Sequence, residues 1–325
     1  DPVVAPEVSA KGFTLSFEDE ILVNLYYTIS DLSNVSEYGV LMFKDYPGTI
    51  DYAKADATPP GKAAGSMFIS TTDGIAAKEM GDTRYYCAYA KLSNGEYAYS
   101  TVLDYSPKQY ALNQLVKSNS AELKVLCVAM LNYGAAAQSY FGYRTDDLMN
   151  AGLTAEQKAL VRAYNSSMVP ASSKADSSKV GIFTNSGGFS KRMPSVSFEG
   201  AFCIHYFFTP SYAASSMKLY YWTQEAYESA SVLKASNASG SIMMVDDGTG
   251  VYYAVIDGIS AKDINSTIYV AAGYTSDGNS YCTGVLPYSI GTYCVSKAGT
   301  TDTIQPLAKA TAVYGYHAQQ MFGSN

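Results

Sequence analysis

Tryptophan occurs once and histidine twice in 325 residues, and only 16% of the side chains carry charge. So little histidine leaves few groups for acid–base or zinc chemistry. Neither His205 nor His317 has a metal-type partner at i+3 or i+4, so both read as structural or surface residues. There is no G-x-S-x-G elbow, no phosphate-binding G-x-x-x-x-G-K-[ST] loop and no dinucleotide fingerprint. No enzyme class, cofactor or metal is indicated. The five cysteines form an odd set without a C-x-x-C pair and read as buried free thiols; Cys282–Cys294 is the one bridge worth checking. No apolar run approaches the roughly 18 residues of a membrane span. A net charge of -7 and an isoelectric point near 4.9 provide no basic stripe for nucleic acid. No signal segment opens the chain, and Asp1 reads as the start of an excised fragment.

What the chain does have is one module written twice. Asp73-Gly74-Ile75-Ala76-Ala77-Lys78-Glu79-Met80-Gly81-Asp82-Thr83 returns 184 residues later as Asp257-Gly258-Ile259-Ser260-Ala261-Lys262-Asp263-Ile264-Asn265-Ser266-Thr267, with six identities in eleven. Tyr133-Gly134, Ala137-Gln138 and Phe141-Gly142 return at an offset of 181 as Tyr314-Gly315, Ala318-Gln319 and Phe322-Gly323. Ser16-Phe17-Glu18 returns at the same offset as Ser197-Phe198-Glu199. A period this long marks duplicated domains rather than a solenoid. The expected organisation is copy one over 1–145, a connector over 146–192 and copy two over 193–325. Hydrophobic residues make up 47% of the chain, which fits globular domains with cores of their own.

Period-two alternation places Ile21, Val23, Leu25 and Tyr27 on one strand face, and Phe202, Ile204, Tyr206 and Phe208 on its counterpart. Val40–Phe43 with Leu219–Trp222, Tyr85–Tyr89 with Tyr269–Tyr274, and Tyr97–Tyr105 with Tyr281–Tyr288 give three further strand pairs. Asn94-Gly95 and Asp277-Gly278 read as type I′ hairpin turns, and Asp247-Gly248 as another hairpin. Many short strands with turns between them indicate a β-sandwich. Each copy then closes on a helix, 121–141 and 303–322, in which the apolar positions match one for one. A glycine costs a helix interior about 1 kcal/mol, so Gly134 and Gly315 suggest close approach of the helix to the sheet. Segment 107–118 carries a Ser-Pro helix start, although its counterpart, 290–295, reads as a strand. In the connector, Thr154 and Gln157 form a capping box for a helix reaching Tyr164. Ser166–Ser178 reads as an exposed linker. The fold class is thus mainly β with helices: two tandem homologous β-sandwich domains, each with a C-terminal helix, joined by a partly helical connector.

Glu18 and Glu199 hold the same place in different copies, so they read as ion-pair or backbone partners rather than a catalytic pair. Asp73 and Asp257 read as Asx-turns. Asp246-Asp247-Gly248 lacks the spacing of a calcium loop. Trp222 aligns with Phe43 and reads as core. Thirty tyrosines are the conspicuous excess. Tyr97, Tyr99, Thr101, Leu103 and Tyr105 fall on one strand face. That row is either cross-strand packing or a binding platform of large, rigid side chains, with Tyr97 and Tyr99 the residues to test. Tyrosine-rich, lysine-poor composition with few disulfides fits an extracellular protein of an anaerobic bacterium.

The runs Leu15-Ser16-Phe17-Glu18-Asp19-Glu20, Gly74-Ile75-Ala76-Ala77-Lys78-Glu79-Met80 and Ala129-Met130-Leu131-Asn132-Tyr133-Gly134-Ala135-Ala136-Ala137-Gln138 resemble a module of large cell-surface proteins of anaerobic gut Firmicutes. The likeness covers nearly all of copy one, and copy two is a diverged version. The set is also similar to the immunoglobulin-binding, superantigen-like surface proteins of gut bacteria. The resemblance implies a cell-surface location, a non-enzymatic role and a host protein such as immunoglobulin as partner. A carbohydrate-binding module with a glycan ligand, or a spacer with no ligand, are the alternatives.

Overall fold

The computed structural model describes residues 4–16, 21–72, 74–171, 174–179, 181, 185–214 and 216–323. Phe17, Glu18 and Asp73 of the repeated blocks lie outside these, as do parts of the connector. Among the described residues the protein is mainly β, with four sheets and six α-helices. None of those helices is long and apolar enough to cross a membrane. The chain divides into two compact units, residues 1–161 and 162–325.

The first unit runs β1 (Val8–Ser16), β2 (Leu22–Ile29), β3 (Val35–Phe43), β4 (Lys62–Ala64), β5 (Met67–Thr71), β6 (Arg84–Leu92), β7 (Tyr97–Tyr99), β8 (Leu103–Tyr105), α1 (Pro107–Lys117), α2 (Ala121–Phe141) and α3 (Ala155–Lys158). One sheet has the order β1-β2-β5-β4; the other is β3-β6-β7, with β8 also paired to β6. The alternating face of β2 is buried through Val23, Leu25 and Tyr27. Phe13 of β1 stacks on Tyr105 at 4.3 Å and meets Tyr86 edge-on at 5.2 Å, so side chains of the two sheets share one core.

The second unit runs β9 (Asn185–Ser186), β10 (Phe189–Lys191), β11 (Ser195–Ser197), β12 (Phe202–Pro210), β13 (Met217–Trp222), α4 (Gln224–Ser229), β14 (Gly240–Met243), β15 (Val245–Asp246), β16 (Tyr252–Ile259), β17 (Ile268–Ser276), β18 (Asn279–Cys282), β19 (Leu286–Tyr288), α5 (Ile290–Ala298) and α6 (Gln305–Phe322). Its sheets are β10-β12-β16-β15, with β11 on β12, and β14-β13-β17-β18-β9, with β19 on β17. The pairing order of the first unit therefore recurs, with β10 and β11 together in the place of β1. Phe202, Ile204, Tyr206 and Phe208 are buried in alternation along β12.

The mid-helix glycines are explained by a contact other than the expected one. A Cβ on Gly134 would overlap Met149 Sδ and stand 3.2 Å from the carbonyl oxygen of Ala77. On Gly315 it would overlap the side chain of Ile264 and stand 3.0 Å from the carbonyl oxygen of Ala261. Ala77 and Ala261 belong to the short 3-10 turns Ala77–Glu79 and Ala261–Asp263. The close approach is thus between helix and turn, not helix and sheet. The two best-repeated sequence blocks pack on each other in both units.

Other expectations need correction. Segment 290–295 is helical, not extended: Ser289 caps α5 by accepting the Thr292 N–H at 3.0 Å, as Ser106 caps α1 from Gln109. Ile290, Cys294 and Ala298 then share a buried stripe, which outweighs the β-branched residues between them. Asp277-Gly278 is the expected two-residue I′ turn, with φ of +48° and +75°. Asn94 is not left-handed; Gly95 alone is, at +89°, and the loop spans three residues with the Leu92 N–H bonded to the Glu96 carbonyl. Asp257-Gly258 lies in a bulge of β16 against β12 rather than in an Asx-turn. α3 keeps its capping box but stops at Lys158. The connector does not stand apart. Gln138 holds residues 147–149 within the first unit, and Met168 and Val169 of the expected linker are buried in the second, where Asn265 donates to the Met168 carbonyl at 3.4 Å.

All five thiols are free, Cys282 and Cys294 included. Burial pushes Cys127 up to about 12 and Cys87 up to about 11, and raises Cys294 as well. Cys203 alone is only half-buried. Two outcomes follow. Native protein at pH 8 is expected to label at Cys203 and at the other four thiols only after denaturation; rapid native labelling of Cys127 or Cys294 would contradict the packing. Gly315→Leu is expected to lower stability by about 1–3 kcal/mol through overpacking. Gly134→Ala should cost less than Gly315→Ala, because Met149 can swing aside more readily than branched Ile264. Thermal melts of the three variants decide this.

Candidate binding surface

Tyr97 and Tyr99 lie on β7, at the edge of the first unit's second sheet. The expected row from Tyr97 to Tyr105 does not form. β7 pairs with β6 through Tyr89↔Tyr99, and β8 pairs through Tyr86↔Leu103. Four steps along one strand therefore oppose three along the other, and a one-residue slip exchanges the faces. Tyr105 turns inward onto Phe13, whereas Tyr97 and Tyr99 stay on the outer face. The second unit has the same slip, with Val270↔Leu286 and Gly273↔Cys282.

On that outer face Leu41, Phe43, Cys87 and Tyr89 form a buried layer, covered by Tyr52, Tyr85, Tyr97, Tyr99 and neighbouring aliphatic groups. Asp51 places Tyr52 by capping the 3-10 turn Tyr52–Lys54 and accepting the Ala53 N–H. Tyr97 stacks on Tyr52 at 5.0 Å and lies parallel to Tyr99 at 5.8 Å. The Tyr89 hydroxyl donates to Glu37 Oε1 at 2.7 Å, and the Tyr52 hydroxyl to the same oxygen at 3.3 Å. Lys91 stands 4.0 Å from Glu37 and 5.7 Å over the Tyr97 ring. Burial, then the bond to Glu37, raises the Tyr89 phenol; burial raises Tyr99. Both therefore stay neutral at physiological pH. Tyr52, Tyr97 and Tyr99 are half-buried, and Tyr46, edge-on to Tyr85 at 5.4 Å, is 66% exposed. The surface offers aromatic faces already fixed by their neighbours, with hydroxyls and one Lys–Glu pair at the side. Tyr97 and Tyr99 could be found in the sequence by alternation. Tyr52, Glu37 and Lys91 could not, because they reach the patch from a loop and a neighbouring strand; the one local signal was Tyr85, Cys87 and Tyr89 sharing a strand face.

The equivalent face of the second unit is built differently. Gly273 replaces Tyr89 and Cys282 replaces Tyr99. Trp222 is fully buried, with its indole N–H on Asn237 at 3.1 Å, and Tyr227 of α4 stacks on Tyr269 at 3.6 Å. That face is core.

A second feature of the first unit is a polar cleft of about 230 Å³, lined by Lys44, Asp45, Glu79, Asp82, Thr83, Arg84, Tyr143 and Arg144. Most of its charges are paired with each other. Arg84 meets Glu79 at 3.0 Å; Arg144, left-handed at φ +44°, meets Asp82 at 3.3 Å; the Tyr143 hydroxyl donates to Asp82 at 2.5 Å. The cleft ties the end of α2 to the start of β6.

The remaining candidates stay apart. His205 sits 3.4 Å from Cys203 Sγ, and His317 is half-buried, with burial and Arg162 holding its imidazole below the usual range. Asp246 and Asp247 accept backbone N–H groups of their own loop, from Gly248 to Val251. Glu199 is exposed at the end of β11, while its partner in the repeat, Glu18, is outside the described residues. Among the described residues no three His, Cys, Asp or Glu side chains gather as a metal set.

No protein-family model matches this chain, and no curated protein matches it in sequence. Among solved structures it is similar to a Br derivative of BhCBM56, at 14% identity and TM-score 0.22, covering 30% of this chain and 97% of that one. Chicken CNTN1 FN1-FN3 domains give 8% identity and TM-score 0.18 over 86% of this chain and 98% of that one. Red sea bream transglutaminase gives 8% and 0.17 over 89% of this chain and 31% of that one. At these scores none carries an argument about fold or function.

Tyr89→Phe is expected to remove the short bond to Glu37 and cost about 0.5–1.5 kcal/mol. It should leave the fold intact by circular dichroism. An unchanged denaturation midpoint would show that Glu37 does not anchor the patch.

Proposed function

We propose that this chain is a non-enzymatic, extracellular binding module of a bacterial cell surface, made of two homologous β-sandwich copies and a partly helical connector. Its partner is a host protein, with immunoglobulin the specific candidate, and the first copy holds the binding face around Tyr97 and Tyr99. The observation that carries this reading is the contrast between the copies. The same sheet face is closed core in the second and a half-exposed, internally braced tyrosine patch in the first. Residues that the shared architecture does not require are where a copy's own function resides. Tyrosine supplies large contact area at low entropic cost, and the bracing from Tyr52 and Tyr89 holds the rings before any partner arrives.

The test is binding of serum immunoglobulin to the full chain and to Tyr97→Ala/Tyr99→Ala. Aromatic anchors cost about 2 kcal/mol or more on truncation, roughly a 30-fold loss of affinity. The variant should fold normally and lose at least that much. Binding should survive enzymatic deglycosylation of the antibody. Its loss would instead support a glycan ligand, and binding to neither class would leave a spacer.

A further inference from the structure

The two units differ at one sheet edge, and the cause can be read in the sequence. In the second unit the far edge of β18 is occupied by β9, a two-residue strand running parallel to it, with Tyr281↔Asn185 and Cys282↔Ser186. The Gly187 N–H then donates to the Cys282 carbonyl at 3.1 Å. Gly187 and Gly188, at φ +101° and +73°, turn the chain from this edge to β10 in the other sheet.

β10 and β11 lie at the 181-residue offset from the ends of β1, residues 8–10 and 14–16. At the same offset Asn185–Ser186 corresponds to Val4–Ala5, and Gly187 to Pro6. Proline has no N–H to donate, and its ring fixes φ near −65°, far from +101°. Val4 is 79% exposed and lies in no strand. Among the described residues nothing pairs with the far edge of β7. Tyr99 holds the register position of Cys282, each opposite the same place of its central strand. The Tyr99 carbonyl is therefore directed at the open edge, as that of Cys282 is directed at Gly187. The rings of Tyr97, Tyr99 and Tyr52 lie along the same edge.

We infer that the free edge of β7 is a docking site for an extended main-chain segment of a partner protein, running parallel to β7 and donating an N–H to the Tyr99 carbonyl. The second unit supplies the template for the occupant: a short stretch of small residues followed by one with a free N–H and a left-handed turn. Strand addition of this kind takes affinity from the main chain and specificity from neighbouring side chains. An edge of three residues is too short to pair indiscriminately, which leaves the tyrosines to select. The inference rests on the reading of the Tyr97/Tyr99 face as the binding face and adds the mode of engagement.

Two experiments on the full chain separate this inference from the identity of the partner. First, a synthetic peptide of the sequence Asn185–Ser190 is added in excess, and amide hydrogen exchange over Tyr97–Tyr99 is followed by mass spectrometry. Exchange should slow by about tenfold as the edge is covered, and N-methylation at the Gly187 position should abolish the effect. No slowing, or equal slowing with the N-methylated peptide, overturns the inference whatever immunoglobulin does. Second, Pro6→Gly/Glu7→Gly restores the two-glycine turn and lets Val4–Ala5 cover the edge. This variant should protect the same amides and lose about tenfold or more in affinity for immunoglobulin, with both tyrosines intact. Protected amides with undiminished immunoglobulin binding would overturn the edge as the docking site while leaving the tyrosine face as the binding face. Peptide protection without any immunoglobulin binding would support the edge and reject that partner.

Discussion

Each unit depends on the seating of a helix backbone against a 3-10 turn. Gly134 brings α2 onto the carbonyl of Ala77, and Gly315 brings α6 onto that of Ala261. The same turn anchors the preceding helix: the Lys108 N–H donates to the Met80 carbonyl at 3.0 Å, and the Gly291 N–H to that of Ile264 at 2.7 Å. One short segment thus holds two helices of its unit, α1 and α2 or α5 and α6, and leads directly into the central strand, β6 or β17. A change at the glycine moves the helix pair, the turn and the sheet together. This explains why these sequence blocks recur so faithfully while most of the strands between them have drifted.

Around that shared joint the two units finish the same sheet differently. In the second, a tryptophan, a helix and a strand of the chain's own close the outer face and its edge. In the first, a loop carrying Tyr52 covers only part of the face, and Val4 and Ala5 do not pair with the edge. Neither difference alters the pairing order. Both alter what the sheet presents to solvent, which is the level at which related β domains acquire separate roles.

Much of the scaffold was legible in the sequence because it rests on short-range periodicity and on repeats. The alternation in β2 and β12, the capped helices and the Asp277-Gly278 turn follow from local rules. Apart from the Asn94-Gly95 loop and the length of α3, the errors share one origin: each needed a partner distant in sequence. Residues 290–295 have strand-like composition, and only the stripe they bury makes them helical. The Tyr97–Tyr105 row alternates perfectly in sequence, yet a single extra residue against β6 reverses its second half. Tyr97 and Tyr99 were found, but Tyr52, Glu37 and Lys91 were not. The Gly-to-Pro exchange at position 6 was visible at the repeat offset, but it has no meaning until the pairing of β9 is known.

The long glycine-bearing helix is the last major element of each unit, while the turn it grips lies some fifty residues earlier in the chain. Synthesis therefore delivers the sheets first and the element that fastens them last. Until α2 or α6 is made, the carbonyl of Ala77 or Ala261 lacks the helix backbone that packs on it in the finished unit. In each unit the contact that fastens the turn is therefore the last one synthesis can supply, so completion of the packing waits on the final helix.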